Sequence, residues 1–111
     1  MEVRASTRNI GIPAKKIRRF ADVVRGRPVA EALQLLRFMP SPSTQPLAKV
    51  IRAAAANAEN NYQLPPEELR LVRLLVDEGP TMKRFRAKAR GRAGPILKRS
   101  CHIIAVVSEE K

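Results

Sequence analysis

The chain of 111 residues contains no tryptophan, one tyrosine, three phenylalanines, one cysteine and one histidine. So sparse an aromatic set, Phe20, Phe38, Phe85 and Tyr62, argues against a module that reads single strands by stacking bases on aromatic platforms. A lone cysteine forms no intramolecular disulfide and supplies no zinc site, which fits a reducing compartment. Cys101 opens an apolar run and reads as a small buried hydrophobe. No apolar stretch approaches the ~20 residues of a membrane span, and the N-terminus lacks a hydrophobic signal core, so export is not expected. Glycine-rich phosphate loops, metal-ligand spacings and triad patterns are also missing. Cys101 and His102 are adjacent, as are Asp77 and Glu78, and adjacent strand residues face apart, so neither pair shares a proton or a ligand. The carboxylates instead suit the orientation of nearby basic side chains. No enzymatic activity, cofactor or metal is therefore expected.

What the chain has in excess is positive charge, a formal net of +12 and a pI near 11.3, far beyond what solubility requires. Residues 1–27 carry eight basic and two acidic side chains, residues 28–78 five and six, and residues 79–111 nine and two. Two basic ends thus flank a neutral middle. Between Gly79 and Ser100 there are eight Lys or Arg and no acidic residue. Of these, Arg84, Arg86, Lys88, Arg90 and Arg92 fall on every second position, separated by Phe85, Ala87, Ala89 and Gly91. In a strand that period gathers the cations on one face and small residues on the other, whereas a helix would scatter them. Surfaces shaped for solubility mix signs; this one excludes carboxylates. It is suited to lie along a polyanion.

The remaining elements follow from apolar periodicity. Val3 to Asn9 alternates as a half-buried strand. A first helix, with Pro13 in its first turn, carries Ile17, Phe20, Ala21 and Val24 at helical spacing and stops at Gly26; Lys15, Lys16, Arg18 and Arg19 make its other faces basic. Pro28 opens a second helix with Val29, Ala32, Leu33 and Leu36, which ends before Pro40. A third is expected from Ser43 or Thr44 to about Asn61, with Leu47, Val50, Ile51, Ala54 and Ala58 inward and an alanine run at 53–56 that permits close packing. Leu69 to Val76 and His102 to Val107 read as apolar strands. Paired antiparallel, they would extend the basic stretch between them outward as a hairpin of about 30 Å, at ~3.3 Å per residue, with its turn at Gly91, Gly94 or Pro95. The expected fold is α+β: three helices packed on a small three-stranded antiparallel sheet, with a long protruding β-hairpin. One domain spans residues 1–111, a body of 1–78 and 100–111 plus an arm of 79–99.

At this point the chain resembles a known family, the large-ribosomal-subunit protein L twenty-two of bacteria and their organelles. The similarity is carried by IPAKKIRRFADVVRG at 12–26, AAAANAENN at 53–61, and most specifically VDEGPTMKRFRAKARGRAGPILKRSCHI at 76–103. The resemblance implies a structural constituent of the large ribosomal subunit that binds its ribosomal RNA, aids assembly and threads the hairpin to the wall of the nascent-peptide exit tunnel. It implies as partners the neighbouring ribosomal proteins, including another tunnel-lining extension, and transiently the nascent peptide. It also implies a position near macrolide sites for the segment 82–84, and residence in a cytoplasmic ribosome or in an organellar stroma or matrix. The candidate RNA-binding residues are Arg4, Arg8, Lys15, Lys16, Arg18, Arg19, Arg25, Lys83, Arg84, Arg86, Lys98, Arg99 and His102. The candidate tunnel-facing tip is Lys88, Ala89, Arg90, Gly91, Arg92, Ala93 and Gly94. The chain departs from the family pattern at Ala87 and Lys88, where a proline and an arginine are expected, at Gly94 and Pro95, where a charged pair is, and at Cys101, often a serine.

Binding would rest on phosphate neutralisation with counterion release, and a thin cationic finger enters crevices of folded RNA that a uniform duplex lacks. Two other readings compete. An architectural DNA-binding protein would need a dimer and an apolar wedge near the arm's tip, for which Pro95 is the sole candidate. A membrane-surface protein would need a broad apolar face that the arm does not have.

Overall fold

The computed structural model describes the backbone of residues 2–39, 41–79, 82–87 and 93–109, and the side chains of these except Asn9, 82–87 and 93–98. In chain order the elements are β1 (Glu2–Ile10), α1 (Ala14–Val24), α2 (Val29–Phe38), α3 (Thr44–Tyr62), a 3-10 turn at Pro66–Glu68, β2 (Leu69–Glu78), β3 (Met82–Ala87), β4 (Ala93–Lys98) and β5 (Cys101–Glu109). The three helices cover one face of an antiparallel sheet ordered β1-β5-β2. This is the α+β arrangement expected from the sequence.

The apolar stripes meet as their spacing requires. Ile17, Ala21 and Val24 of α1, Val29, Ala32 and Leu36 of α2, and Leu47, Val50, Ile51, Ala54 and Ala58 of α3 are all buried against Val3, Leu71, Leu74, Ile103, Ala105 and Val107 of the sheet. Fully enclosed Ala54 and Ala58 let α3 lie close to β1 and β5, since a larger side chain would hold the backbones apart. The prolines sit one residue earlier than their pattern suggested. Pro13 (ψ 140°) and Pro28 (ψ 143°) are N-caps in extended conformation, so each sets the entry angle of its helix without joining the first turn. α3 starts on a hydroxyl turn in which Thr44 Oγ1 donates to the Ser41 carbonyl at 2.8 Å, and ends at left-handed Gln63 (φ 56°).

β5 is central, and β2 is an edge strand whose outward carbonyls need partners. The α1–α2 connection supplies them. Gly26, at φ 83° where a side chain would be strained, donates its N–H to the Leu71 carbonyl at 2.9 Å, and Leu71 donates back to the Arg27 carbonyl at 3.0 Å. Further along, Arg25 donates through Nε and Nη2 to the Leu74 carbonyl at 3.1 and 2.7 Å, and Arg18 Nε to the Val76 carbonyl at 3.0 Å. The edge is thereby closed by α1 and its loop.

The sheet pairing of β2 with β5 runs out at Glu78 opposite Cys101, followed by one further bond from the Gly79 N–H to the Ser100 carbonyl at 2.9 Å. β3 and β4 then pair only with each other, from Met82 opposite Lys98 to Ala87 opposite Ala93. The hairpin is thus a second, two-stranded sheet, not a continuation of the first, and its paired strands of six residues span about 20 Å at ~3.3 Å per residue. Two of the three turn candidates are corrected by this register: Gly94 and Pro95 are β4 residues opposite Arg86 and Phe85. A two-stranded ribbon tolerates Pro95 because every strand in it is an edge, where a missing N–H need not break a ladder. Lys88, Ala89, Arg90, Gly91 and Arg92 lie outside the described residues. The molecule measures 64 × 26 × 17 Å with a radius of gyration of 17.0 Å. A compact chain of this length would have about 13 Å, so one part stands away from the rest, and the separately paired ribbon is that part.

Candidate nucleic-acid interface

The base of the arm is where α1, β2 and β5 meet. Lys15 and Lys16 in the first turn of α1, Glu78 at the end of β2, and Arg99 before β5 line a cleft of about 400 Å³ with Pro13, Gly79 and Ser100. Three of the candidate cations, two of them adjacent and the third more than eighty residues further on, are thus brought to one opening. The close packing beneath depends on Gly79: a Cβ there would come within 2.7 Å of Ser100 Oγ and 3.1 Å of His102 Cε1. His102 is half-buried, opposite Asp77 in the sheet register, and its imidazole rests against Gly79.

The placement of Lys15 and Lys16 is electrostatically odd. A helix N-terminus carries partial positive charge and favours Asp or Glu, yet the first turn of α1 has no acidic residue. Each lysine there opposes the helix dipole by about 0.3–1 kcal/mol. Such a cost is sensible where an anion binds, because exposed N–H groups and cations then act together.

The other basic residues of α1 divide by role. Arg19 is exposed on its surface, whereas Arg18 and Arg25 are the side chains that close the edge of β2, and Arg25 Nη1 also pairs with Asp22 at 2.6 Å. These two, expected in the RNA-binding set from their charge, also bond to the chain's own backbone. A denaturation experiment separates the groups. Lys15→Gln with Lys16→Gln should leave stability unchanged or raise it by a few tenths of a kcal/mol while lowering the salt dependence of RNA binding by about two charges. Arg25→Ala should cost about 1–2 kcal/mol, since a charge-assisted bond to a half-buried carbonyl is lost. Equal, large destabilisation by both would contradict this division.

The sheet face away from the helices carries a second group. Arg4 of β1, Val106 of β5 and Arg73 of β2 form one row across it, and Ser6, Ile104 and Leu75 the next. Leu75 is 46% exposed, and Arg4, Arg8 and Arg73 are exposed as well. Arg73 was absent from the expected set because it lies in the neutral middle of the chain; only the register places it beside Arg4. Its contact to Glu2, at 3.9 Å between exposed groups, contributes little.

Cys101 is fully enclosed on the inner sheet face and His102 lies on the other, so the two do not form a catalytic pair. Burial pushes the Cys101 thiol up from its ordinary pKa, with the Arg18 charge acting weakly against it. A thiol so held is protonated and inert. Backbone positions of Lys83, Arg84, Arg86 and Lys98 fall in β3 and β4, as do Ala93 and Gly94 in β4.

A basic α+β body that carries a separately paired basic ribbon, with no assembled catalytic group among the described residues, is the architecture of a structural protein that works by contact. The chain belongs to the ribosomal protein L22p/L17e family, whose model matches residues 5–108. It is 50% identical over 109 residues to the large ribosomal subunit protein uL22 of Dehalococcoides mccartyi, covering 98% of this chain and all of that one. The proteins of the same name from Pediococcus pentosaceus and Herpetosiphon aurantiacus are 46% and 44% identical, over 97% and 98% of this chain and 92% and 96% of theirs. The family is structural and non-enzymatic, and the chain is a ribosomal constituent of bacterial type. No helix among the described residues is long and apolar enough to cross a membrane.

Proposed function

We propose that the chain binds large-subunit ribosomal RNA, aids its assembly, and lays its arm along the nascent-peptide exit tunnel of a cytoplasmic ribosome. The observation that carries this reading is the arm itself: 22 residues with eight cations and no acid, around a ribbon whose two described strands pair with each other and not with the body's sheet. Isolated two-stranded ribbons are marginal in water, so its order comes from a partner, and the partner's sign is negative. Lys15, Lys16 and Arg99 at the base and Arg4, Arg8 and Arg73 on the open sheet face anchor the body by phosphate neutralisation. The residues at 88–94 then face the tunnel lumen, where neighbouring subunit proteins and the passing peptide are met.

Competition at fixed salt tests the RNA reading. Large-subunit rRNA should displace a labelled rRNA fragment at concentrations at least tenfold below those needed of duplex DNA or anionic vesicles. Equal competition by DNA, together with a dimer in solution, would favour the architectural alternative. A photocrosslinker in place of Arg90 should label nascent chains in translating ribosomes; labelling of RNA alone would remove the tunnel assignment.

A further inference from the structure

The middle of the chain is neutral in sequence but not in space. Arg37 at the end of α2, and Lys49 and Arg52 on one face of α3, line a groove of about 690 Å³ that has no carboxylate among its described lining residues. The six acidic residues of the same stretch, from Glu31 to Glu78, lie outside that lining. The groove's floor is apolar, formed by Leu36, Met39 and Ala48. Phe38, between the lining residues Arg37 and Met39 in the chain, is 74% exposed, the most exposed large hydrophobic side chain among the described residues. A second recess of about 360 Å³ toward Ile10 and Ile12 shares Pro42, Gln45 and Lys49 with the first, so the channel continues around the start of α3.

We propose that this groove is a further RNA-binding surface of the body, distinct from the arm and its base, which takes a strand of backbone phosphates along Arg37, Lys49 and Arg52 with a base or ribose against Phe38. The proposal rests on the RNA-binding function set out above and extends it to residues that no charge run marks. Lys49 and Arg52, three residues apart, stand on one helix face within about 6 Å, close to the spacing of successive phosphates in a strand. A groove of single-sign charge with apolar walls focuses its field on a bound anion. The exposed ring adds a stacking surface that tolerates any base. An acidic segment of a neighbouring protein would satisfy the cations but gives the flat, isolated Phe38 no comparable role.

The test compares three variants of the full chain for binding to large-subunit rRNA over a salt series, with hydroxyl-radical footprinting. Arg37→Ala/Lys49→Ala/Arg52→Ala should lower the log–log salt slope by about two to three and erase one block of RNA protection. Phe38→Ala should weaken binding about tenfold with the slope unchanged. An arm variant, Arg84→Ala/Arg86→Ala, should lose a different block and keep the first. Arg37, Phe38, Lys49 and Arg52 are exposed, and a thermal melt confirms that each variant folds. Wild-type slope and footprint in the triple variant would overturn the groove while leaving RNA binding standing. Loss of association with a neighbouring subunit protein, with RNA binding intact, would overturn it in favour of a protein occupant. Failure of the wild-type chain to bind rRNA at all would remove both this proposal and the function on which it rests.

Discussion

Alanine at Arg84, Arg86, Arg90 and Arg92 together is expected to weaken binding to large-subunit rRNA about a thousandfold near 0.1 M salt and to leave the body's stability unchanged. The magnitude follows from counterion release. Four phosphate contacts contribute about three units to the log–log salt slope, and each unit is worth roughly tenfold between 1 M and 0.1 M salt. Stability is spared because β3 and β4 pair with each other and form no part of the three-stranded sheet on which the helices pack. Substitutions outside a packed core ordinarily stay within ~0.5 kcal/mol. Filter binding across a salt series, with a thermal melt of each free protein, reads both quantities. An unchanged slope would mean that the arm's cations do not neutralise phosphate, and a lowered melting temperature would mean that they belong to the fold.

The largest effect on stability is expected at Ile51. It is fully enclosed in the middle of α3, among the residues that join the helices to the sheet. Ile51→Ala removes three carbons and leaves a void that close-packed neighbours cannot fill, at a cost of about 2–5 kcal/mol. Against a total of ~5–15 kcal/mol for a domain of this size, that is a large fraction of what holds the chain folded. The urea midpoint should fall accordingly, and the melting temperature by about 10–20 °C. Ile51→Val, which keeps most of the volume, should cost about 1 kcal/mol. If both variants lose the same amount, packing at this site is not what sets the stability. RNA affinity per folded molecule should be unaffected in either, because Ile51 reaches no surface.

The three buried stripes, the apolar strands on either side of the basic stretch, and the antiparallel pairing of those strands were all legible from residue spacing. So was the stop at Gly26, whose positive φ ends α1 where the chain turns to meet β2. Local spacing reads well when one face must be buried, because a slip of one residue would turn every apolar side chain to water. The turn of the hairpin was less legible, since glycine and proline mark several positions at once. The strand register, closing with Ala87 opposite Ala93, excludes Gly94 and Pro95 from it.

Sequence shows the sum of the charge and not the neighbours of each cation. Arg18 and Arg25 look in sequence like Lys15, Lys16 and Arg19, cations on the outer face of one helix. They differ because β2 is an edge strand, and its Leu74 and Val76 carbonyls, 49 and 58 residues away, come within their reach. Conversely, Arg37, Lys49, Arg52 and Arg73 vanish into a stretch whose charges nearly cancel, then reappear on two coherent surfaces once the chain folds. Composition and period were enough to place a cation-rich stretch between two core strands and to point to a polyanionic partner. Which cations bond to the chain's own carbonyls was decided only by folding, because a hydrogen bond depends on distance across the fold while periodicity records only distance along the chain.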